Sequence, residues 1–365
     1  MSLTREAVLH ALKFQRDAIA TSPMYQHLLE VVVDDVEAGG ACALAFDETP
    51  AGVEPVLDAL PLRFLGGVHR LVIEGRAPEL AAFYPSVGGR FDADDTATLD
   101  RRFLDAVDAH HDDVVAALGR AVQTNEVGRC AALLLGFLEM ARVTDLPLRT
   151  LEIGASAGLN LRWDRYRYEG GARGTAWGDP SSPVRFTDVY VEPLPDLDVD
   201  VVVAERAGCD RRPVDATSED GALALRSFVW PDQEERFAAL DAALRLAGDV
   251  PVTLEQDDAA DWVERQLAEP RPGTATIVFH SIVWQYLPAA TRHRLRDLIA
   301  AAGARAASDA PVAWLRMEPG HEPERGAEVK LTRWPGPTET VLARSGYHGR
   351  PVRPHPQGAD GPTTR

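Results

Sequence analysis

From Leu148 onward the chain alternates short apolar runs with helical stretches, and no other feature limits its fold so sharply. The runs are LRTLEI up to Ile153, DVDVVVAE around Val202, VPVTLE up to Glu255, TATIVFH up to His280 and PVAWLRME up to Glu318. Each is short enough for a strand and is bounded by turn residues. Helical periodicity lies between them: after Gly158, from Asp232 to Ala247, from Ala259 to Leu267 and from Ala289 to Ala302. Parallel strands need crossovers of helix length, so the pattern predicts a parallel sheet with helices on both faces. Two further runs, AEVKLTRW and TETVLARS, are separated only by Pro335, Gly336 and Pro337, a link that permits only an antiparallel hairpin.

Everything before residue 146 reads as helix. Val8, Leu12 and Ile19 recur at helical spacing, as do Leu99, Phe103, Val107, Val114 and Leu118, and then Val127, Cys130, Ala131, Leu134 and Leu138. This gives a helical N-terminal region over 1–145 that caps an α/β domain over 146–350. An insertion rich in aromatic and charged residues spans about 162–196, and a Pro/Gly-rich tail covers 351–365.

An apolar content of 45% suits a globular core, and the chain carries 56 acidic against 38 basic residues. A formal charge of -18 repels a phosphate backbone, so no nucleic-acid partner is expected. Cys42, Cys130 and Cys209 are odd in number and far apart, which suggests neither a disulfide framework nor a zinc site. With a charged N-terminus and no run of about 18 apolar residues, the expectation is a cytoplasmic protein with no membrane partner. Oligomeric state is not legible.

In an open α/β sheet a ligand sits beyond the carboxyl ends of the strands, where strand order reverses. The first such loop here is GASAG, Gly154 to Gly158, between Glu152 and Asn160. It reads in two ways. As a cofactor cradle, the glycines let backbone approach a ligand, and the following helix start offers free N–H groups. As G-x-S-x-G it is a nucleophile elbow with Ser156 attacking, completed by Asp257 with His280 or by Glu318 with His348. The elbow reading lacks preceding strands and an oxyanion loop.

Later loops favour the cradle. Asp210 follows the second strand, where an acid is suited to ribose hydroxyls. Asp257 and Asp258 follow the third, suited to an exocyclic adenine amine. His280, Ser281 and Trp284 follow the fourth, and histidine titrates nearest neutrality, making His280 the acid/base candidate. Asn125 and Arg129, in QTNEVGR at the start of the last helix before the first strand, share a helix face at i and i+4 and could reach the same strand ends. Trp163 and Tyr166 of the insertion could form an aromatic wall or block the pocket. His110 and His111 are adjacent and point apart on a helix, so no metal site is inferred from them.

This series of loops resembles S-adenosylmethionine-dependent methyltransferases of class I. The resemblance implies a Rossmann-like, seven-stranded sheet whose seventh strand runs antiparallel, with S-adenosylmethionine as cofactor and a small molecule as methyl acceptor. It implies Glu152, Gly154, Ser156 and Gly158 on the methionine side, Asp210 at the ribose, and Asp257 or Asp258 at the adenine. The sequence departs from that pattern where Ser156 replaces a central glycine, and where Asp210 follows the loop at unusual distance because of the insertion. A longer match, through AVQTNEVGR, LEIGASAGLNLRWDRYRY, GCDRRPVD, VWPDQ and VFHSIVWQYLP, resembles a bacterial and archaeal family of unknown function, which carries no activity with it. The alternatives are a non-catalytic or other nucleotide-binding Rossmann-like protein, and the serine hydrolase.

Overall fold

The computed structural model describes residues 3–19, 21–170, 175–192, 195–320, 322 and 325–355. The chain opens with α1 (Arg5–Ala18), α2 (Pro23–Ala38), α3 (Ala41–Asp47), α4 (Leu60–Ile73), α5 (Pro78–Ala81), α6 (Ala97–Ala109), α7 (His111–Leu118) and α8 (Cys130–Thr144). There follow β1 (Leu148–Ile153), β2 (Arg167–Gly170), β3 (Thr175–Trp177), β4 (Arg185–Phe186) and β5 (Val203–Asp210). Then come α9 (Glu219–Ser227), α10 (Glu234–Ala247), β6 (Thr253–Gln256), α11 (Ala259–Gln266), β7 (Ala275–Ser281) and α12 (Ala289–Ala304). The chain closes with β8 (Val312–Pro319), β9 (Ala327–Trp334), β10 (Thr338–Ser345) and β11 (Val352–Pro354). No helix among the described residues is long and apolar enough to cross a membrane.

Two compact units are present, one made of 1–124 with 218–241 and the other of 125–217 with 242–365. The first is helical. Thr4 caps α1 by accepting from Ala7 N at 3.3 Å, and Ser22 caps α2 by accepting from Tyr25 N at 3.2 Å with Pro23 at the first helical position. Leu12, Leu28, Val32, Phe64, Phe103 and Leu118 are all but fully buried in one core. Residues far along the chain join this unit because Asp232 accepts from Ser22 Oγ at 2.6 Å and from Met24 N at 3.1 Å, while the Ser227 carbonyl meets His69 Nδ1 at 3.1 Å. His110 and His111 serve different partners, the Arg76 carbonyl and the Glu48 carboxylate.

The second unit is a mixed sheet in the order β11-β10-β9-β8-β7-β1-β5-β6. The five strands from β6 to β8 are parallel, and the order reverses at β1, with β5 on one side and β7 on the other. Leu151, Val278 and Trp314 face α11 and α12, while Phe279 meets Phe137 of α8 edge-on at 5.1 Å. Helices thus cover both faces, which is what strands buried on both sides require.

Three expectations need correction. The sheet has eight strands, because Val352–Pro354, read as tail, pair with β10; residues 356–365 lie outside those described. The antiparallel strand beside β8 is β9, the first of the hairpin, not the last strand of the sheet. Residues 320–326 are too few for a crossover, so β9 folds straight back and β10 and β11 continue outward as a meander. Finally, no α-helix follows Gly158: a short 3₁₀ helix, Asn160–Arg165, leads into a three-stranded sheet ordered β3-β2-β4, which builds the insertion. Its residues 171–174 and 193–194 are outside those described.

Side chains explain the missing helix. Tyr166 Oη donates to the Leu159 carbonyl at 2.6 Å and Tyr168 Oη to the Trp163 carbonyl at 2.8 Å. Arg162 donates to the carbonyls of Gly158, Ala247 and Val250. The carbonyls of Gly158, Leu159 and Trp163, which a helix would have satisfied, are taken by these buried donors, and Trp163 stacks on Phe137 at 4.1 Å.

Candidate functional site

The carboxyl ends of β1, β5 and β7 converge where strand order reverses, and GASAG forms the turn there. Gly154, Ser156 and Gly158 all have left-handed backbone, with φ of +69°, +51° and +67°. The loop is bound to its own chain. Gly154 and Ala155 N–H groups donate to the Cys209 carbonyl at 2.9 and 3.0 Å, Ser156 N to Asp210 Oδ2 at 2.9 Å, and Gly158 N to the Ala155 carbonyl at 2.7 Å. Leu159 N donates to Asn125 Oδ1 at 2.8 Å. With the short 3₁₀ turn behind it, the loop presents no α-helix N-terminus to an anion.

Below the loop, Glu152 is buried. Its Oε1 accepts a long bond from Asn160 Nδ2 at 3.4 Å, and its Oε2 has no partner. Asn160 Oδ1 in turn accepts from Cys130 Sγ at 3.2 Å. Burial pushes the Glu152 carboxyl well above the ordinary carboxylate range, against the Asn160 bond, which lowers it. The folded state therefore keeps a proton that the unfolded state loses above its ordinary value of about 4.3, so this group's stabilising contribution is complete below that pH and is lost as pH rises through the raised folded value. Glu152→Gln removes the slope. Urea unfolding at pH 5 and pH 8 is expected to show the variant gaining on the wild type by at least about 1 kcal/mol over that interval.

Asp210 accepts from Ser156 N and, through Oδ1, from Arg212 N at 2.9 Å, so it sits at the glycine turn. Asp257 instead pairs with Arg265 at 2.5 Å, which lowers its pKa, and Asp258 caps α11 by accepting from Ala260 N at 2.9 Å. Asn125 lies ahead of the 3₁₀ turn Val127–Arg129 that begins the helical segment, so it shares no helix face with Arg129. Arg129 reaches the carbonyls of Tyr347 at 2.9 Å and Ser281 at 3.2 Å, tying two loops together. Trp163 and Tyr166 are fully buried and make core contacts.

His280 forms a second centre. Its Nδ1 lies 2.6 Å from Glu318 Oε1, and the same oxygen accepts from Val283 N at 3.1 Å and Trp284 N at 3.3 Å. The Trp284 ring stacks on the imidazole at 5.0 Å, and His280 Nε2 has no partner. Register places the two centres on opposite faces: Glu152 pairs with Phe279, and His280 is the next residue along β7. At the strand ends Val283, whose N–H donates to Glu318, packs over Gly154. Neither hydrolase pairing forms. His280 takes Glu318 in place of Asp257, and His348 takes Glu126 at 3.2 Å, although the left-handed Ser156 does match an elbow's backbone.

Trp314 and Arg316, absent from the expected site residues, precede Glu318 at alternate positions of β8. With His280, Trp284 and Lys330 they border a cavity of about 150 Å³. Polar residues alternating on one face of an otherwise buried strand were the available signal.

The chain belongs to the family described as an uncharacterized protein conserved in bacteria (DUF2332), whose match spans residues 11–353. No curated protein and no solved structure matches it.

Proposed function

We propose that the protein is a methyltransferase that uses S-adenosylmethionine on a small molecule, with His280 removing the acceptor's proton. The observation that carries this is the carboxylate-oriented histidine at the end of β7, beside the strand-order reversal that the glycine turn marks. Glu152 fits the amino end of the cofactor: its Oε2 has no partner, and an arriving ammonium would favour the ionised carboxylate that burial now disfavours. Asp210 fits the ribose, since each of its oxygens keeps a lone pair after its present bond. Asp257 and Asp258, at the start of α11, are the acids assigned to the adenine, beside the bonds they already make to Arg265 and Ala260 N. The cofactor's carboxylate has no helix N-terminus waiting for it, and this is where the fit is poorest.

When bound, the cofactor supplies an electrophilic methyl group. The chain's own part is to align the acceptor and take up its proton at His280 Nε2, while Glu318 holds the ring through Nδ1. Calorimetry of the full chain with S-adenosylmethionine and its demethylated product is expected to show one site for each, with a dissociation constant on the order of 1 μM to 1 mM. Absence of heat with both, from folded protein, would overturn the reading. A second reading is a nucleotide-binding protein without chemistry, because a fold does not fix function. A dinucleotide or nucleotide retained through purification and seen by mass spectrometry would select it.

A further inference from the structure

Four buried polar atoms without a hydrogen-bond partner come from residues that border the cavity beside β7 and β8: His280 Nε2, Glu318 Oε2, Arg316 Nε and Trp314 Nε1. Each such atom costs about 1–3 kcal/mol when left unmade, so four on residues that border one cavity favour an occupant that brings them partners. The cavity's volume of about 150 Å³ admits a single six-membered ring.

The pattern of donors and acceptors narrows the occupant. In the tautomer that donates from Nδ1 to Glu318, His280 offers Nε2 as an acceptor, and Glu318 Oε2 is a second. Arg316 Nε and Trp314 Nε1 are donors. A hydroxyl answers both kinds, donating its hydrogen and accepting on its oxygen. The walls are aromatic: Trp284 lies 11° from coplanar with His280, and Trp314 is 5.5 Å from Trp284. Flat apolar walls with a few convergent polar atoms favour a flat ring. Cationic and acidic side chains both border the cavity. The Arg316 guanidinium lies 4.2 Å from the Trp314 ring centre and Lys330 also borders the cavity, with Glu328 and Glu339 as their partners. Arg296 lies over the outer ring of Trp284 at 5.1 Å.

We infer that this cavity is the acceptor pocket and takes a single flat ring bearing an acidic hydroxyl, a phenol or hydroxy-heterocycle, with the hydroxyl directed at His280 Nε2. The ligand enters past Trp284, whose half-buried ring covers the imidazole. In the proton step the ligand O–H bond breaks, an N–H bond forms at Nε2, and the electron pair stays on the oxygen. The imidazolium then faces Glu318, and the oxygen faces Arg316. Methylation of that oxygen rests on the methyl-transfer reading; binding of the ring does not.

The test uses the full chain with ¹³C-labelled histidine and three probes: phenol, benzene and cyclohexanol. Phenol is expected to move the His280 ring resonance and quench tryptophan fluorescence saturably, binding at least about tenfold more tightly than either comparison compound. His280→Gln should erase that margin while benzene binding stays unchanged. Phenol that binds no better than benzene, or leaves the His280 resonance in place, overturns the inference, as does failure of all three probes to saturate, the behaviour of a cavity that holds only water. If the variant does not fold, the wild-type comparison still decides. Phenol binding without any response to S-adenosylmethionine would remove the methyl-transfer reading alone; the reverse result would remove the acceptor pocket alone.

Discussion

Gly154→Ala is expected to destabilise the second unit by about 2–5 kcal/mol, measured by urea unfolding of the full chain. Two independent costs combine. At φ +69° an alanine stands in left-handed backbone, worth about 1–2 kcal/mol, and its Cβ would lie 2.6 Å from Val283 Cγ2. Relieving that overlap moves a packed side chain, which costs about 1–3 kcal/mol. Ser156→Gly is the control. Ser156 also holds a positive φ, at +51°, so glycine removes strain there while adding chain entropy, and stability should change by no more than about 1 kcal/mol. A Gly154→Ala loss no larger than that of the control would show that Val283 does not hold the turn. Because Val283 N donates to Glu318, displacement of this residue should also disturb the histidine centre.

The parts of the fold legible in the sequence were those set by local pattern. LRTLEI, TATIVFH and PVAWLRME became β1, β7 and β8 because apolar runs bounded by turns have few other uses, and the Pro335–Pro337 turn left β9 and β10 no choice but a hairpin. What escaped was set by distant partners. The helix expected after Gly158 is replaced by bonds from Arg162 to carbonyls at 247 and 250, and no local periodicity reveals them. The stretch 218–241 joins the helical unit through Asp232 and Ser227, and Val352 becomes an eighth strand by pairing across from Ser345. The site divides in the same way. The positions of Asp210 and His280 at strand ends followed from local pattern, whereas the bonds of Asp257 to Arg265 and of Asp258 to the start of α11 did not. The Glu318 partner of His280 depends on the register of β7 against β8, which only the folded sheet supplies.

Glu318 separates stability from chemistry, and its two substitutions should part company. Glu318→Ala removes the acceptor shared by His280 Nδ1, Val283 N and Trp284 N, leaving these donors to whatever water can reach them. A loss of about 2–4 kcal/mol in unfolding free energy is expected, since each unmet buried donor costs about 1–3 kcal/mol. Glu318→Gln keeps one carbonyl oxygen of the same shape, so its cost should stay near 1 kcal/mol. Proton transfer is another matter. An amide cannot balance an imidazolium, and it can donate to Nδ1 and so force the hydrogen onto Nε2, the atom that has to accept. The corresponding change behind a catalytic histidine lowers turnover by up to about 10⁴-fold, so methyl transfer to a hydroxylated ring should fall about 10²–10⁴-fold in Glu318→Gln while the fold holds. Calorimetry and single-turnover rates on the same preparation distinguish the cases. Equal losses of stability and rate in both variants would make Glu318 a packing residue, whereas a stable protein that has lost its rate marks the carboxylate as the group that positions His280.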